Sequence, residues 1–213
     1  MIGTTQSYSQ SKVTSPAGVY NLQGVKEMAS GFELDEDSTF KFYFSYGALD
    51  RYGSGRWHML DSSIKFNSTV VKERDFKLVN SVAIKGNQSI IQIKDKNKFF
   101  YQYVYCRVKT AKGDTILGAD NEGRIKLPFK VDSVDLLFEF CPEKNSRFAI
   151  SKSVPTVYTF QFEPWITELF FKDFTLLYKH DQLEGKHPLL TGIQHVFVKE
   201  DLAQEKENMD SQE

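Results

Sequence analysis

The sequence predicts an all-β fold made of two packed β units. Three observations carry this. The stretch 31–66 alternates apolar and polar residues, breaks at glycine, and alternates again. Period-two alternation bounded by turn residues is the mark of half-buried strands. Aromatics reach 14 %, led by 18 Phe and 10 Tyr, residues that suit a pleated surface. Almost no stretch repeats apolar residues at helical spacing. At 213 residues the chain fits one large β domain or two small ones. A chain of this size buries roughly 70 % of its unfolded surface, so it needs no staples.

Residues 1–17 lack periodicity and predict a flexible lead. The first strand is Val19–Val25, and Phe32-Glu33-Leu34 leads into the acidic turn 35–38. In Thr39–Tyr46, Phe40, Phe42, Phe44 and Tyr46 share one face, which must be buried because such a row in water would aggregate. A glycine-punctuated loop is expected over Gly47–Gly55. Strands follow at Arg56–Leu60 and Ser63–Phe66, around the turn Asp61-Ser62. A second block opens near Phe76, with Lys77–Ile84 and Ser89–Lys94 as a hairpin around Gly86-Asn87. Tyr101–Lys109 reads as one long strand. Its Tyr101, Tyr103 and Tyr105 face outward, opposite Val104, Cys106 and Val108, either to bind a ligand or, the commoner use, to pack against the neighbouring block. Lys112-Gly113-Asp114 turns the chain into Thr115–Ala119. Asp120-Asn121-Glu122-Gly123 is a strong turn, and Arg124–Pro128 exits from it. Val134, Leu136, Phe138 and Phe140 share a face. The third block supplies strands at Val157–Phe162, Glu168–Tyr178 and His195–Lys199, with breaks at Pro164 and Pro188. Glu163-Pro164-Trp165 reads as a turn with an anchoring tryptophan. The domain organisation expected is residues 18–75 plus 156–200 as a barrel or sandwich, 76–155 as an inserted sandwich, and 201–213 as a disordered acidic tail, with a tandem of two sandwiches as the alternative.

Charge and composition exclude several classes. The net charge is −1, from 27 basic and 28 acidic residues. Without excess positive charge to displace phosphate counterions, nucleic acid is not expected as a partner. The acidic excess sits in Lys199–Glu213, leaving the body slightly positive. No apolar run of 18 residues exists, so no helix is expected to span a bilayer. The polar opening MIGTTQSYSQSKVTSPAG resembles the tether behind a removed export signal, which points to a periplasmic or extracellular location, with the cytoplasm as the alternative. Cys106 and Cys141 are neither closely spaced nor near histidines, so zinc is not expected. The two are either a strand-to-strand disulfide or a pair of buried free thiols, the commoner state.

Two resemblances overlay this pattern. Over about residues 18–67, the order G-x-Y-x-L, F-x-L-D-E-D-S-T-F, G-S-G-R-W and D-S-S-I-K-F is similar to the opening of lipocalin-like small barrels. There an acidic turn tightens a hairpin and a tryptophan plugs one barrel end. Over about 78–151, Thr-Ile-Leu-Gly-Ala-Asp-Asn-Glu-Gly-Arg-Ile-Lys-Leu-Pro resembles the prealbumin-like regulatory sandwiches appended to carboxypeptidases and to bacterial surface proteins. Asp120 and Gly123 match that pattern, and its threonine is absent. These domains are usually non-catalytic. As a whole the chain resembles uncharacterised β-rich proteins of the bacterial envelope.

The densest functional cluster is the predicted loop with the residues after it: Tyr46, Asp50, Arg51, Tyr52, Arg56, Trp57 and His58. A carboxylate, guanidinia and aromatics on a loop between strands could hold a sugar or a carboxylate ligand. The bland alternative is a hairpin with a surface ion pair and a core Trp57. The histidines 58, 180, 187 and 195 lack ligand spacing, no HExxH or GxSxG occurs, and no phosphate-cradling glycine loop is present. The reading is therefore a non-catalytic binding or structural module of the cell envelope, without cofactor or metal. Its expected partners are a glycan, a small ligand or an envelope protein. The rival is a glycan-acting hydrolase using paired carboxylates drawn from Glu27, Asp50, Glu139 and Glu163.

Overall fold

The computed structural model describes residues 15–110, 113–127, 131–151, 153–192 and 194–200. The acidic tail 201–213, most of the expected lead, Lys112 and Pro128 lie outside the described residues. The structure is all-β, and its chain divides into two compact units. The first comprises Met1–Gly47, Gly53–Thr69 and Phe171–Glu213; the second comprises Ala48–Tyr52 and Val70–Phe170.

The first unit is a closed eight-stranded barrel. Its strands are β1 (Gly18–Leu22), β2 (Met28–Leu34), β3 (Thr39–Tyr46), β4 (Leu49–Leu60, whose first residues to Tyr52 are assigned to the second unit), β5 (Ser63–Asn67), β15 (Phe174–Lys179), β16 (Gln182–Gly185) and β17 (His195–Lys199). They run β4-β3-β2-β1-β17-β16-β15-β5, and β5 pairs back onto β4 to close the circle. Closure removes every free edge from these eight strands. The alternation along β3 does what the sequence asks: Phe40, Phe42 and Phe44 are buried, while Tyr46 at its end is exposed. Phe32, Phe66, Phe171, Phe174 and Phe197 join Phe40 and Phe42 inside, so this part of the interior is filled by rings. Trp57 is buried and donates its Nε1–H to the Asp35 carbonyl at 3.1 Å, pinning the acidic turn to the barrel.

The second unit is a sandwich of two four-stranded sheets. One holds β10 (Arg124–Lys126), β7 (Ile90–Ile93), β13 (Thr156–Phe162) and β6 (Phe76–Ala83) in that order. The other holds β12 (Ser146–Ala149), β11 (Ser133–Phe138), β8 (Val104–Thr110) and β9 (Gly113–Gly118). Ile91, Ile93 and Phe160 face Val104, Cys106, Val134, Leu136 and Phe148 in one core; Phe148 and Phe160 meet edge to face with centroids 4.6 Å apart. Cys106 and Cys141 are free and buried, and burial pushes their thiols up to about 12 and about 11. The turn after β9 forms as expected. Asp120 Oδ1 accepts the Glu122 and Arg124 N–H groups, and Gly123 takes a positive φ of 74°.

Several elements differ from expectation, each for a physical reason. β6 and β7 are not a hairpin: β13 lies between them, antiparallel to β6 and parallel to β7. The strand 156–162 therefore belongs to the sandwich rather than to the barrel. Tyr101 is not on a strand. Residues Lys98–Tyr103 form a 3₁₀ turn capped by Asn97, and buried Tyr101 exchanges hydrogen bonds with the Asp95 backbone. The outward tyrosine ladder is thus absent, and Tyr103 packs against the core. Glu168–Tyr178 is not continuous: β14 (Glu168–Leu169) stops, Phe171 turns into the barrel, and Asp173 adopts φ 49° before β15 begins. The loop expected over 47–55 is only a turn at Gly47-Ala48, because β4 starts at Leu49. Gly55 lies within that strand, where a Cβ would collide with the Asn67 carbonyl.

Candidate functional site

The residues singled out around 46–58 do not gather into one site. Alternation along β4 leaves Asp50, Tyr52, Arg56 and His58 exposed and buries Arg51 and Trp57. Arg51 is 2 % exposed; its guanidinium pairs with Glu143, and its Nε donates to the Thr167 carbonyl at 3.2 Å. It is an internal strut of the sandwich unit. Trp57 is buried against the acidic turn, Arg56 reaches the Asp37 carbonyl at 3.4 Å, and Tyr46 and Tyr52 are exposed singly. Asp50, Arg51 and Tyr52 fall in one compact unit and Tyr46, Arg56, Trp57 and His58 in the other.

The barrel does bring two histidines together, which the spacing did not foretell. His187 is 4 % exposed, stacks on Phe197, and lies 5.5 Å from the His195 ring. Its Nδ1 accepts the N–H groups of Leu189 and Leu190, both at 3.0 Å, so the ring proton sits on Nε2 and points at Ser30 Oγ, 3.0 Å away. Ser30 in turn donates to the Tyr43 carbonyl at 2.8 Å. A histidine already donating to the serine cannot take its proton, so this pair is structural rather than nucleophilic. Burial, with His195 adding repulsion, pushes His187 down to about 4 from 6.5. Between those values the unfolded chain binds more protons than the folded one. Barrel stability should therefore hold above about pH 7 and fall by on the order of 3 kcal/mol toward pH 4. Denaturant unfolding followed by Trp57 emission in a Trp165→Phe background tests this, and His187→Gln should flatten the profile.

The sandwich unit carries an open groove of about 620 Å³. Its walls include Lys72, Arg74, Lys77, Phe148 and Trp165, with Glu73 and Glu163. The Lys72 ammonium lies 4.8 Å over the Trp165 ring, and the Arg74 guanidinium lies 5.0 Å over Phe148. None of the three cations makes an ion pair within 4 Å among the described residues. A second depression of about 410 Å³ shares Glu73 and Arg74 and reaches Arg147, which forks onto Asp135 at 2.7 and 2.9 Å.

A buried polar knot holds the groove wall. Lys144 Nζ donates to Asp75 Oδ1 at 2.8 Å, to the Ile166 carbonyl at 2.9 Å and to the Glu168 carbonyl at 3.0 Å. Asp75 donates its N–H to Ser146 Oγ, and its carbonyl accepts the Glu163 N–H. Cys141 Sγ meets the Ile166 carbonyl at 3.1 Å. Trp165 Nε1 donates to the Arg74 carbonyl at 2.8 Å. The turn bearing Trp165 is thus tied to the segment bearing Arg74, as the expected anchoring tryptophan. Lys72, Arg74 and Phe148 lie far apart in sequence from Trp165 and carry no motif, so no local pattern announces the groove.

Among the described residues no helix is long and apolar enough to cross a membrane, and no group of three His, Cys, Asp or Glu side chains is placed to hold a metal. No family model and no curated protein matches the chain. One solved structure aligns, titled "Crystal Structure of Helicobacter pylori beta clamp bound to DNA ligase peptide", at 11 % identity and a TM-score of 0.15. The alignment covers 91 % of this chain and 62 % of that clamp, and at this TM-score it carries no argument about fold or function.

Proposed function

We propose that the protein is a non-catalytic binding module whose ligand site is the groove of the sandwich unit. The observation that carries this is the pair of cations laid over aromatic faces, Lys72 on Trp165 and Arg74 on Phe148, in an open groove. Ring faces offer stacking area, and cations without carboxylate partners are ready to meet an anionic group. The resemblance of residues 78–151 in the same unit to non-catalytic, structural or adhesive sandwiches fits a module without chemistry. Hydrolysis of a glycan is the rival, because Glu163 shares the groove with Glu73.

Trp165 supplies the assay. In a Trp57→Phe background its emission should change saturably with at least one of an oligouronate and an acidic oligopeptide. Arg74→Glu should weaken that response about tenfold or more, roughly 1.4 kcal/mol or more. Silence of Trp165 toward both probes removes the reading. Release of reducing ends from the oligouronate, lost in Glu163→Gln, hands the groove to the rival.

A further inference from the structure

We infer that the sandwich binds an extended acidic-apolar peptide segment of another protein, which adds as a strand beside β6 with its acidic end in the groove. This rests on the groove reading above and names its ligand. Two independent observations meet here. β6 is the edge strand of its sheet, and every residue from Lys77 to Ala83 is exposed. Leu78, Val79 and Val82 are 40 %, 42 % and 51 % exposed. Natural edges of this length are normally covered, charged or shortened, since unpaired backbone groups invite another strand. The first residues of the same strand, Phe76, Lys77 and Leu78, line the groove that contains Lys72, Arg74 and Trp165. A chain laid along β6 therefore runs into three cations and a ring face.

The occupant follows from charge and shape. The same strand of a second copy carries no acidic residue, so it offers Lys72, Arg74 and Lys77 no anionic partner. The pairing register between β6 and β13 also slips at Val79, where Leu78 faces Phe160 and Asn80 faces Thr159. Such a bulge twists the edge away from a long flat partner, whereas a short flexible strand can follow it. Main-chain hydrogen bonds then supply affinity, alternate apolar side chains cover Val82 on the face it shares with its partner Val157, and the acidic end supplies register.

The test uses the full chain and a fluorescein-labelled peptide Glu-Glu-Phe-Thr-Val-Thr-Val, read by anisotropy. Saturable binding is expected, weakened at least about tenfold by Lys72→Glu combined with Lys77→Glu, variants on the exposed surface whose fold is checked by circular dichroism. Two further peptides carry backbone N-methyl groups on one or the other set of alternate residues. The set facing β6 should abolish binding. Equal binding by all three peptides overturns strand addition and leaves the groove reading standing. Absence of peptide binding while Trp165 still responds to the oligouronate overturns it likewise. A concentration-dependent dimer that Val82→Glu abolishes assigns the edge to a second copy and overturns the peptide. Loss of every Trp165 response, in contrast, falls on the groove itself.

Discussion

Phe32→Ala should cost the barrel about 3–5 kcal/mol, the range for truncating a fully buried aromatic. Phe32 is 0 % exposed and is the hub of the interior. Its ring centroid lies 4.8 Å from Phe66, 5.0 Å from Phe42 and 5.2 Å from Phe197, with Phe40, Phe171 and Phe174 within 6.4 Å. Those rings come from four strands and one connecting segment, so no single neighbour can swing in to fill the void. The cavity term therefore adds to the lost transfer energy instead of relaxing away. Phe32→Leu keeps most of the volume and should cost under about 1.5 kcal/mol. Guanidinium unfolding, read by Trp57 emission in the Trp165→Phe background, gives both values. A loss below about 1 kcal/mol for the alanine variant would mean the rings are loosely held and the interior is not the packed body seen here.

What the sequence could announce was local. Strand β3 was legible because Phe40, Phe42 and Phe44 alternate with Lys41 and Tyr43, and one buried face fixes such a pattern. The turn at 120–123 was legible because an Asp side chain caps its own backbone and a glycine follows. Pairing was not legible. Gly86-Asn87 is a sound turn signal, yet β6 and β7 each prefer β13, a partner some 70 residues away. Tyr101 carries strand-like neighbours, yet its hydroxyl finds both a donor and an acceptor in the Asp95 backbone and the 3₁₀ turn wins. The cluster at 46–58 looked functional because its charges are dense in sequence. Along an extended strand, density in sequence means alternation between faces, so Arg51 and Trp57 are buried while their neighbours point to water. The groove is the reverse case. Lys72 and Arg74 meet Phe148 and Trp165 through long-range ties, among them Lys144 to Asp75 and the turn at 163–168, and Trp165 to the Arg74 carbonyl.

That tie carries the second large expectation. Lys144→Met should destabilise the sandwich unit by about 3–5 kcal/mol, the cost of stranding a buried charge. The side chains of Lys144 and Asp75 are 16 % and 6 % exposed, so neither can turn to water when the other is removed. Burial already raises the Asp75 carboxyl above its ordinary value, more than the Lys144 ammonium lowers it. A group raised in this way is more stable in the fold when protonated, so its contribution is lost as pH rises through the carboxylate range. Without the lysine the carboxyl rises further. The deficit of Lys144→Met should accordingly be largest near pH 7 and shrink as pH falls and Asp75 takes up a proton. Removing both charges, Lys144→Met with Asp75→Leu, should recover much of the loss, because an apolar pair replaces a pair whose desolvation offsets its attraction. Unfolding followed by Trp165 in the Trp57→Phe background measures each variant at pH 7 and pH 4. A deficit that grows toward acid, or a double variant no better than the single, would show that Lys144 acts through its carbonyl contacts to Ile166 and Glu168 rather than through the Asp75 charge. Either result still predicts a displaced Trp165 and a weakened groove, since both routes hold the same turn.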